Sequence, residues 1–246
     1  MARGRILVYG VISYVFFFVT FCYAIGFVEN LIVPKGMNDG AAEATFRSSI
    51  INVLLLGLFA VQHTIMARPA FKTWWCRVVP RPMERSTFVL VASAILALMM
   101  WQWCPLPEVV WDVQMPALRS ILLGLSLGGW LLVLYATFVI DHFDLFGLRQ
   151  VWLYFRGLEY HHPPFAERSV YKIIRHPLML GFIVAFWAPP TMTQGSLLFA
   201  IVTTAYVLVA VKIEERDLVA ILGEPYLEYR RRTPGLIPFW PMAKKR

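Results

Sequence analysis

Two polar stretches carry the residues best able to do chemistry. DHFDLFGLRQ, residues 141–150, sets Asp141, His142, Asp144 and Arg149 close together. On a continuing helix Asp141 and Asp144 would share one face at i and i+3. Two carboxylates at a helix C-terminus oppose its macrodipole. Arg149 and the basic loop beyond can compensate them, or the acids face a pocket that wants negative charge. Carboxylates and imidazoles serve as general bases, and burial raises a carboxyl pKa toward the working range. The interleaved Phe143, Leu145, Phe146 and Leu148 argue against simple solvation. The second stretch, YKIIRHPLMLG, places Arg175 and His176 just before Pro177. Proline suits the first helical position, and free first-turn amides beside an arginine can hold a carboxylate or phosphate. Gly181, one turn on, leaves room for close approach of a ligand or another helix.

Other polar residues support these two. Glu214 and Glu215 follow an apolar run, and if that helix continues to Leu222, Gly223 stops it. Tyr226 and Tyr229 then share a face of a short amphipathic helix, and Arg230, Arg231 and Arg232 can touch anionic headgroups. A ligand bearing a carboxylate together with hydroxyls or a cation would suit such groups. The YHHPP stretch, 160–164, reads as a stiff loop for packing or substrate contact. Adjacent His161 and His162 rarely converge on one ion, and Cys22, Cys76 and Cys104 are scattered. Neither a metal site nor a disulfide framework is expected.

The elements that position these groups are membrane helices. The chain has 246 residues, 59% hydrophobic and 15% charged, where a soluble domain carries about a quarter charged. Apolar runs fall at 6–28, 49–67, 86–103 and 118–140, then 177–190 and 196–213. The first would reach roughly 35 Å and crosses a core of about 30 Å; it reads as a retained span, not a cleaved signal. The fifth reaches only about 21 Å. Joined to the sixth by residues 191–195, it reads as a helical hairpin whose first arm is tilted, extended or not fully spanning. The expected fold is all-α, a polytopic bundle of five to six transmembrane helices with a C-terminal hairpin and a cytoplasmic cofactor pocket.

The net charge of +8 is no nucleic-acid stripe, because it sits between apolar runs. Arg3 and Arg5, the segment Arg68–Arg85, the segment Arg149–Arg175 and the tail with Lys244, Lys245 and Arg246 are basic, whereas 104–117 and 191–195 hold no Lys or Arg. That alternation predicts cytoplasmic N- and C-termini. Polar residues gather at one membrane face, which argues against a transporter or channel. Gln62 and His63 are the exceptions, expected to hydrogen-bond between helices.

R-H-P-x-x-x-G (Arg175, His176, Pro177, Gly181), a hairpin, Glu214-Glu215, G-x-x-Y-x-x-Y (Gly223, Tyr226, Tyr229) and T-P-x-x-I-P (Thr233, Pro234, Ile237, Pro238) together resemble the isoprenylcysteine carboxyl methyltransferase and phospholipid methyltransferase superfamily. Met179 stands where that family usually has an aromatic. DHFDLFGLRQVW, the YHHPPF loop and RHPLMLGFIVAFWAPPTMT are similar to the methanethiol S-methyltransferase branch of the NnrU-like proteins. The resemblance covers about residues 118–240. It implies one membrane methyltransferase domain over 1–246, with N-terminal spans in 1–117 and catalytic and cofactor-binding parts in 118–240. It implies S-adenosylmethionine as donor, methanethiol as acceptor, dimethyl sulfide as product and a bacterial inner-membrane location. Arg175, His176, Pro177, Gly181, Glu214, Glu215, Tyr226, Tyr229, Gln150 and Tyr171 are then the cofactor candidates. Candidates for activating a thiol are Asp144, His142, Asp141 and His161 or His162, with Arg149 to steady the thiolate or pair with Asp144. Rival readings keep the scaffold with another thiol, isoprenylcysteine or a phospholipid amine as acceptor, or make the chain a non-catalytic NnrU-like accessory protein.

Overall fold

A computed structural model describes residues 2–41 and 44–238; the basic tail residues Lys244, Lys245 and Arg246 lie outside that range. The fold is an all-α membrane bundle. The long helices are α1 (Ala2–Glu29), α2 (Thr45–Ala67), α4 (Glu84–Gln102), α5 (Pro116–Ile140) and α9 (Gln194–Leu222). Among the described residues these five are long and apolar enough to cross a membrane. The shorter helices are α3 (Pro69–Trp75), α6 (His142–Leu145), α7 (Leu148–Arg156), α8 (Pro177–Trp187) and α10 (Glu224–Arg232). Many Leu, Ile, Val and Phe side chains on the long helices are exposed, as lipid-facing surfaces require.

The short fifth run is explained by its ends. Pro177 opens α8, which closes at Trp187, two residues before Pro189-Pro190. Eleven residues rise only about 16 Å. Within the joint at 191–195 the chain is a strand: β2 (Thr191–Thr193) pairs with strand β1 (Val109–Asp112), and α9 already starts at Gln194. Pro190 accepts from the Val113 amide, and Gln194 donates its amide to Glu108.

The chain forms two compact units. The first comprises 1–110, 141–162 and 192–199; the second comprises 111–140, 163–191 and 200–246. In the first, α1 packs on α4 and α7. The Tyr9 hydroxyl meets that of Thr87 at 2.9 Å, and Gly10 lies so close to Val151 that a Cβ there would sit 2.5 Å from a methyl. Gln62 and His63 do not bridge helices by hydrogen bonds. The Gln62 amide donates to Met66 one turn along α2, and His63 lies between the rings of Phe59 and Phe88, its Nδ1 buried without a hydrogen-bond partner. In the second unit α5 and α8 make the tightest helix pair. A Cβ on Gly181 would stand 2.7 Å from the Gly129 carbonyl oxygen and 2.9 Å from the Val133 amide. The Ser126 hydroxyl donates to the Ala185 carbonyl at 2.7 Å. Small residues here let two backbones touch. The space beside Gly181 is therefore filled by a helix.

Candidate active site

The acid stretch in the first unit does not continue a helix. Helix α5 ends at Ile140, and Asp141 caps the next one: its carboxylate accepts from the Asp144 amide at 3.1 Å. The two acids thus sit at a helix N-terminus, where their charge is favoured, rather than at a C-terminus where the sequence suggested conflict. Arg149 pairs with Asp141 at 2.7 Å and reaches Asp144 only at 3.9 Å. His142 is 3% exposed, and its Nε2 lies 2.9 Å from the Tyr14 hydroxyl on α1. Burial pushes this imidazole below its ordinary range, with Asp141 opposing.

Asp144 is the least satisfied member. Its side chain is 16% exposed, Oδ2 accepts from the Tyr160 hydroxyl at 3.2 Å, and Oδ1 is buried without a hydrogen-bond partner. Burial holds its carboxyl above the usual range; the Tyr160 bond opposes this, Asp141 adds to it, and Arg149 and His162 oppose it. The Tyr160 oxygen also lies 3.0 Å from Nδ1 of the exposed His162. Burial and the neighbouring Asp144 push the Tyr160 phenol up to about 12. Gln150 belongs with this group: its amide donates to the Asp144 carbonyl, and its Oε1 is buried without a partner. Tyr14, Arg85 and Tyr160 are participants the sequence reading did not single out. Arg85, on α4, donates from Nε to the Leu145 carbonyl at 2.7 Å and so braces the acid segment. Only Tyr160 carried a local signal, as the first residue of the YHHPP stretch.

The second unit holds a denser cluster. Arg175 and His176 precede α8, and their amides donate to the Pro234 and Gly235 carbonyls at 2.9 and 3.1 Å. The Arg175 guanidinium bonds Glu215 Oε1 at 2.8 and 2.5 Å, and also the carbonyls of Arg230 and Thr233 at the end of α10. His176 Nε2 lies 3.0 Å from the same Oε1, and its Nδ1 lies 3.7 Å from Glu214. Arg175 is thus committed to Glu215 and the last turn of α10; its guanidinium is not the free anion grip that the sequence suggested. The acids also do not sit at a helix end. Helix α9 runs on to Leu222, and Gly223, at φ +66°, turns the chain.

Tyrosines close this cluster. Tyr226 and Tyr229 are buried, pack edge-on, and each meets Phe165. The Tyr229 hydroxyl donates to the Tyr171 carbonyl at 2.6 Å, and the Tyr171 hydroxyl to the Ala136 carbonyl at 3.5 Å. Burial raises all three phenols, Tyr226 to about 12. The Tyr226 hydroxyl is buried without a hydrogen-bond partner. Arg231 and Arg232 pair with Glu224 and Glu167. Pro177 is fully buried. Among the described residues no group of three or more His, Cys, Asp or Glu side chains is placed to hold a metal ion, and the three cysteines are free.

The arrangement offers a half-buried carboxylate with one unbonded oxygen and, separately, an aromatic and acidic cluster with a buried, unbonded hydroxyl. The NnrU protein family model matches residues 51–211. A Mycobacterium tuberculosis protein named methanethiol S-methyltransferase is 52% identical over 98% of this chain and 98% of its own. Methanethiol S-methyltransferase 1 of Bradyrhizobium diazoefficiens is 52% identical over 94% of this chain and 81% of its own. A Crocosphaera subtropica protein named methanethiol S-methyltransferase is 48% identical over 97% and 94%. No solved structure is significantly similar. An all-α membrane bundle with these two clusters, matched by the family model over most of its spans, belongs to the NnrU family, alongside proteins named methanethiol S-methyltransferase.

Proposed function

We propose that this protein methylates methanethiol to dimethyl sulfide with S-adenosylmethionine as donor, the whole chain acting as one methyltransferase. The observation that carries the reading is identity near one half, over almost the entire chain, to proteins bearing that enzyme name. The site chemistry supports it. The donor brings a carboxylate, an ammonium, ribose hydroxyls, an adenine and a methyl on a cationic sulfur. The residues of the second cluster fit such a molecule. The three bonds from Arg175 and His176 to Glu215 fall on Oε1, which leaves Oε2 to accept from a hydroxyl or ammonium. The orphaned Tyr226 hydroxyl lacks a partner that a polar ligand would supply. The rings of Tyr226, Tyr229 and Phe165 suit a flat base or a cation. Arg175 and His176 act by fixing Glu215.

The acceptor makes the remaining demand. A thiol is a poor nucleophile until it loses its proton. Asp144 is the base we assign: its raised pKa brings it nearer the working pH, and its Oδ1 is unpartnered. His142 is a weaker choice, since burial lowers it and Tyr14 occupies its Nε2. Asp141 is tied to Arg149. A very small acceptor offers little binding energy, so its positioning carries much of the rate.

We place the protein in a bacterial inner membrane with both termini and the chemistry on the cytoplasmic side. The basic segments between α2 and α4 and between α5 and α8, against the Lys- and Arg-free 104–117, support that orientation. The deciding experiment supplies purified protein with S-adenosylmethionine and methanethiol and measures dimethyl sulfide in the headspace. Parallel reactions contain an isoprenylcysteine analogue, a phospholipid amine or a larger thiol. Donor binding without transfer to any acceptor would make the chain an accessory protein; preference for another acceptor would overturn the substrate.

A further inference from the structure

Asp144 has to be emptied once per turnover, and the structure contains a route by which that can happen. We propose that Tyr160 and His162 form a relay that carries the acceptor's proton from Asp144 to solvent; this rests on the methyl-transfer reading above. The base itself is half-buried, with Oδ1 buried and accepting no hydrogen bond and Oδ2 facing the Tyr160 hydroxyl at 3.2 Å. The same hydroxyl lies 3.0 Å from His162 Nδ1, and His162 is exposed. Three titratable groups thus run from a half-buried carboxylate to water at hydrogen-bonding distance. The loop that supplies the last two is held by the stiff Pro163-Pro164 pair that follows.

The proton balance is complete. As the acceptor sulfur forms its bond to the methyl carbon, the donor's sulfonium–methyl bond breaks and the acceptor's S–H proton passes to Asp144. A half-turn of the carboxyl presents that proton to the Tyr160 oxygen. Tyr160 passes its own hydroxyl proton to His162 Nδ1, the imidazolium releases the Nε2 proton to water, and exchange of the exposed ring with water moves the remaining proton from Nδ1 back to Nε2 before the next turnover. Asp144 is again a carboxylate, and Tyr160 and His162 are again neutral. No redox partner is required. The charged groups around Asp144 are Asp141, Arg149, Arg85 and His162. Arg85 and Arg149 favour the carboxylate and so favour its reset after each proton has left. The route also accounts for why a phenol lies between an acid and an imidazole, where a purely structural contact would be served by one of the two bonds.

Full-length protein and the variants Tyr160→Phe and His162→Gln would be assayed with S-adenosylmethionine and two thiols, methanethiol and the more acidic 2,2,2-trifluoroethanethiol, across the neutral pH range. The relay predicts that kcat for methanethiol falls about tenfold to a hundredfold in both variants, with donor affinity unchanged. The deficit shrinks for the acidic thiol, which arrives as thiolate and delivers no proton. Added imidazole restores His162→Gln but not Tyr160→Phe. Wild-type kcat and pH profile in either variant would overturn the relay. So would an equal deficit for both thiols without imidazole rescue, which is the mark of a merely structural role. Absence of methyl transfer by the wild-type protein would instead remove the underlying reading, and the relay with it.

Discussion

The two polar clusters use their hydrogen bonds in opposite ways. Around Glu215 the bonds converge on one atom: Oε1 takes two bonds from Arg175 and one from His176, and Arg175 also closes the end of α10. Around Asp144 the bonding is deficient: Asp144 Oδ1 and Gln150 Oε1 are both buried without partners. A charge held by several bonds fixes a shape, whereas a carboxylate with one buried, unbonded oxygen costs stability and retains its proton more readily. The difference separates a scaffold that pre-organises a ligand site from a group available for proton transfer. It also makes the two clusters respond differently to damage.

The largest effect should come from Glu215→Ala. Arg175 and Glu215 side chains are 10% and 15% exposed, so removing the acid strands a buried guanidinium. Loss of one partner of such a pair costs about 3–5 kcal/mol. We expect a markedly lower unfolding midpoint in detergent together with loss of S-adenosylmethionine binding by calorimetry. If the midpoint stays at the wild-type value while binding is lost, the cluster is a contact surface and not a scaffold.

Asp144→Asn should behave in the opposite sense. Removal of a general base costs about 100-fold or more in kcat, while donor affinity should stay within twofold. Its stability effect has a defined sign. The folded carboxyl titrates above its unfolded value, so the folded state binds more protons. The contribution of this group is therefore fully present below the unfolded pKa and lost as pH rises through the folded one. At neutral pH the wild-type protein carries that loss, and the asparagine variant should be at least as stable. The activity of the wild-type protein should fall on acidification at a pH above the ordinary aspartate range. A destabilised Asp144→Asn with normal turnover would merge the two clusters into one structural class.

How much of this could be read from the sequence depends on distance along the chain. The long helices are written in the apolar runs, and the early end of α8 in Pro189-Pro190. Gly223 and the tyrosine spacing placed α10. Hydropathy alone left the end of α9 open. The apolar run of α9 ends at Ile213 but the helix does not, because its polar extension is stabilised by contacts from Arg175 and His176, tens of residues upstream. Likewise Asp141 caps α6 instead of ending α5, a choice that depends on local backbone geometry rather than on residue type. Tyr14 and Arg85 reach the acid segment from helices with no motif of their own. Gly181 was open to a ligand or a helix in the sequence, and only the backbone of Gly129 decides it.

Gly181→Ala tests how stiff the unit that holds Glu215 is. The added methyl would press on the Gly129 carbonyl and the Val133 amide, backbone atoms that cannot turn aside. Overpacking of this kind costs about 1–3 kcal/mol. The expected result is a moderate fall in the unfolding midpoint, with weaker donor binding because α8 carries Arg175 and His176 at its start. Turnover per bound donor should be retained, since Asp144 and its partners are untouched. A variant with full stability would mean that α5 and α8 separate easily, and the scaffold would then be softer than its hydrogen bonds suggest.

The smallest effect expected is for Tyr229→Phe, and it discriminates most finely. The ring packing against Tyr226 and Phe165 survives the change; only the bond to the Tyr171 carbonyl is lost. One neutral hydrogen bond is worth about 1 kcal/mol, somewhat more if the carbonyl is left unpaired. The bond ties α10 to the turn that leads into Arg175, so its loss should loosen the donor site severalfold in Kd without altering kcat at saturating donor. If kcat falls while Kd is unchanged, Tyr229 acts on the reacting groups themselves. The division between a holding cluster and a proton-handling cluster would then have to be redrawn with a tyrosine of the first doing the work of the second.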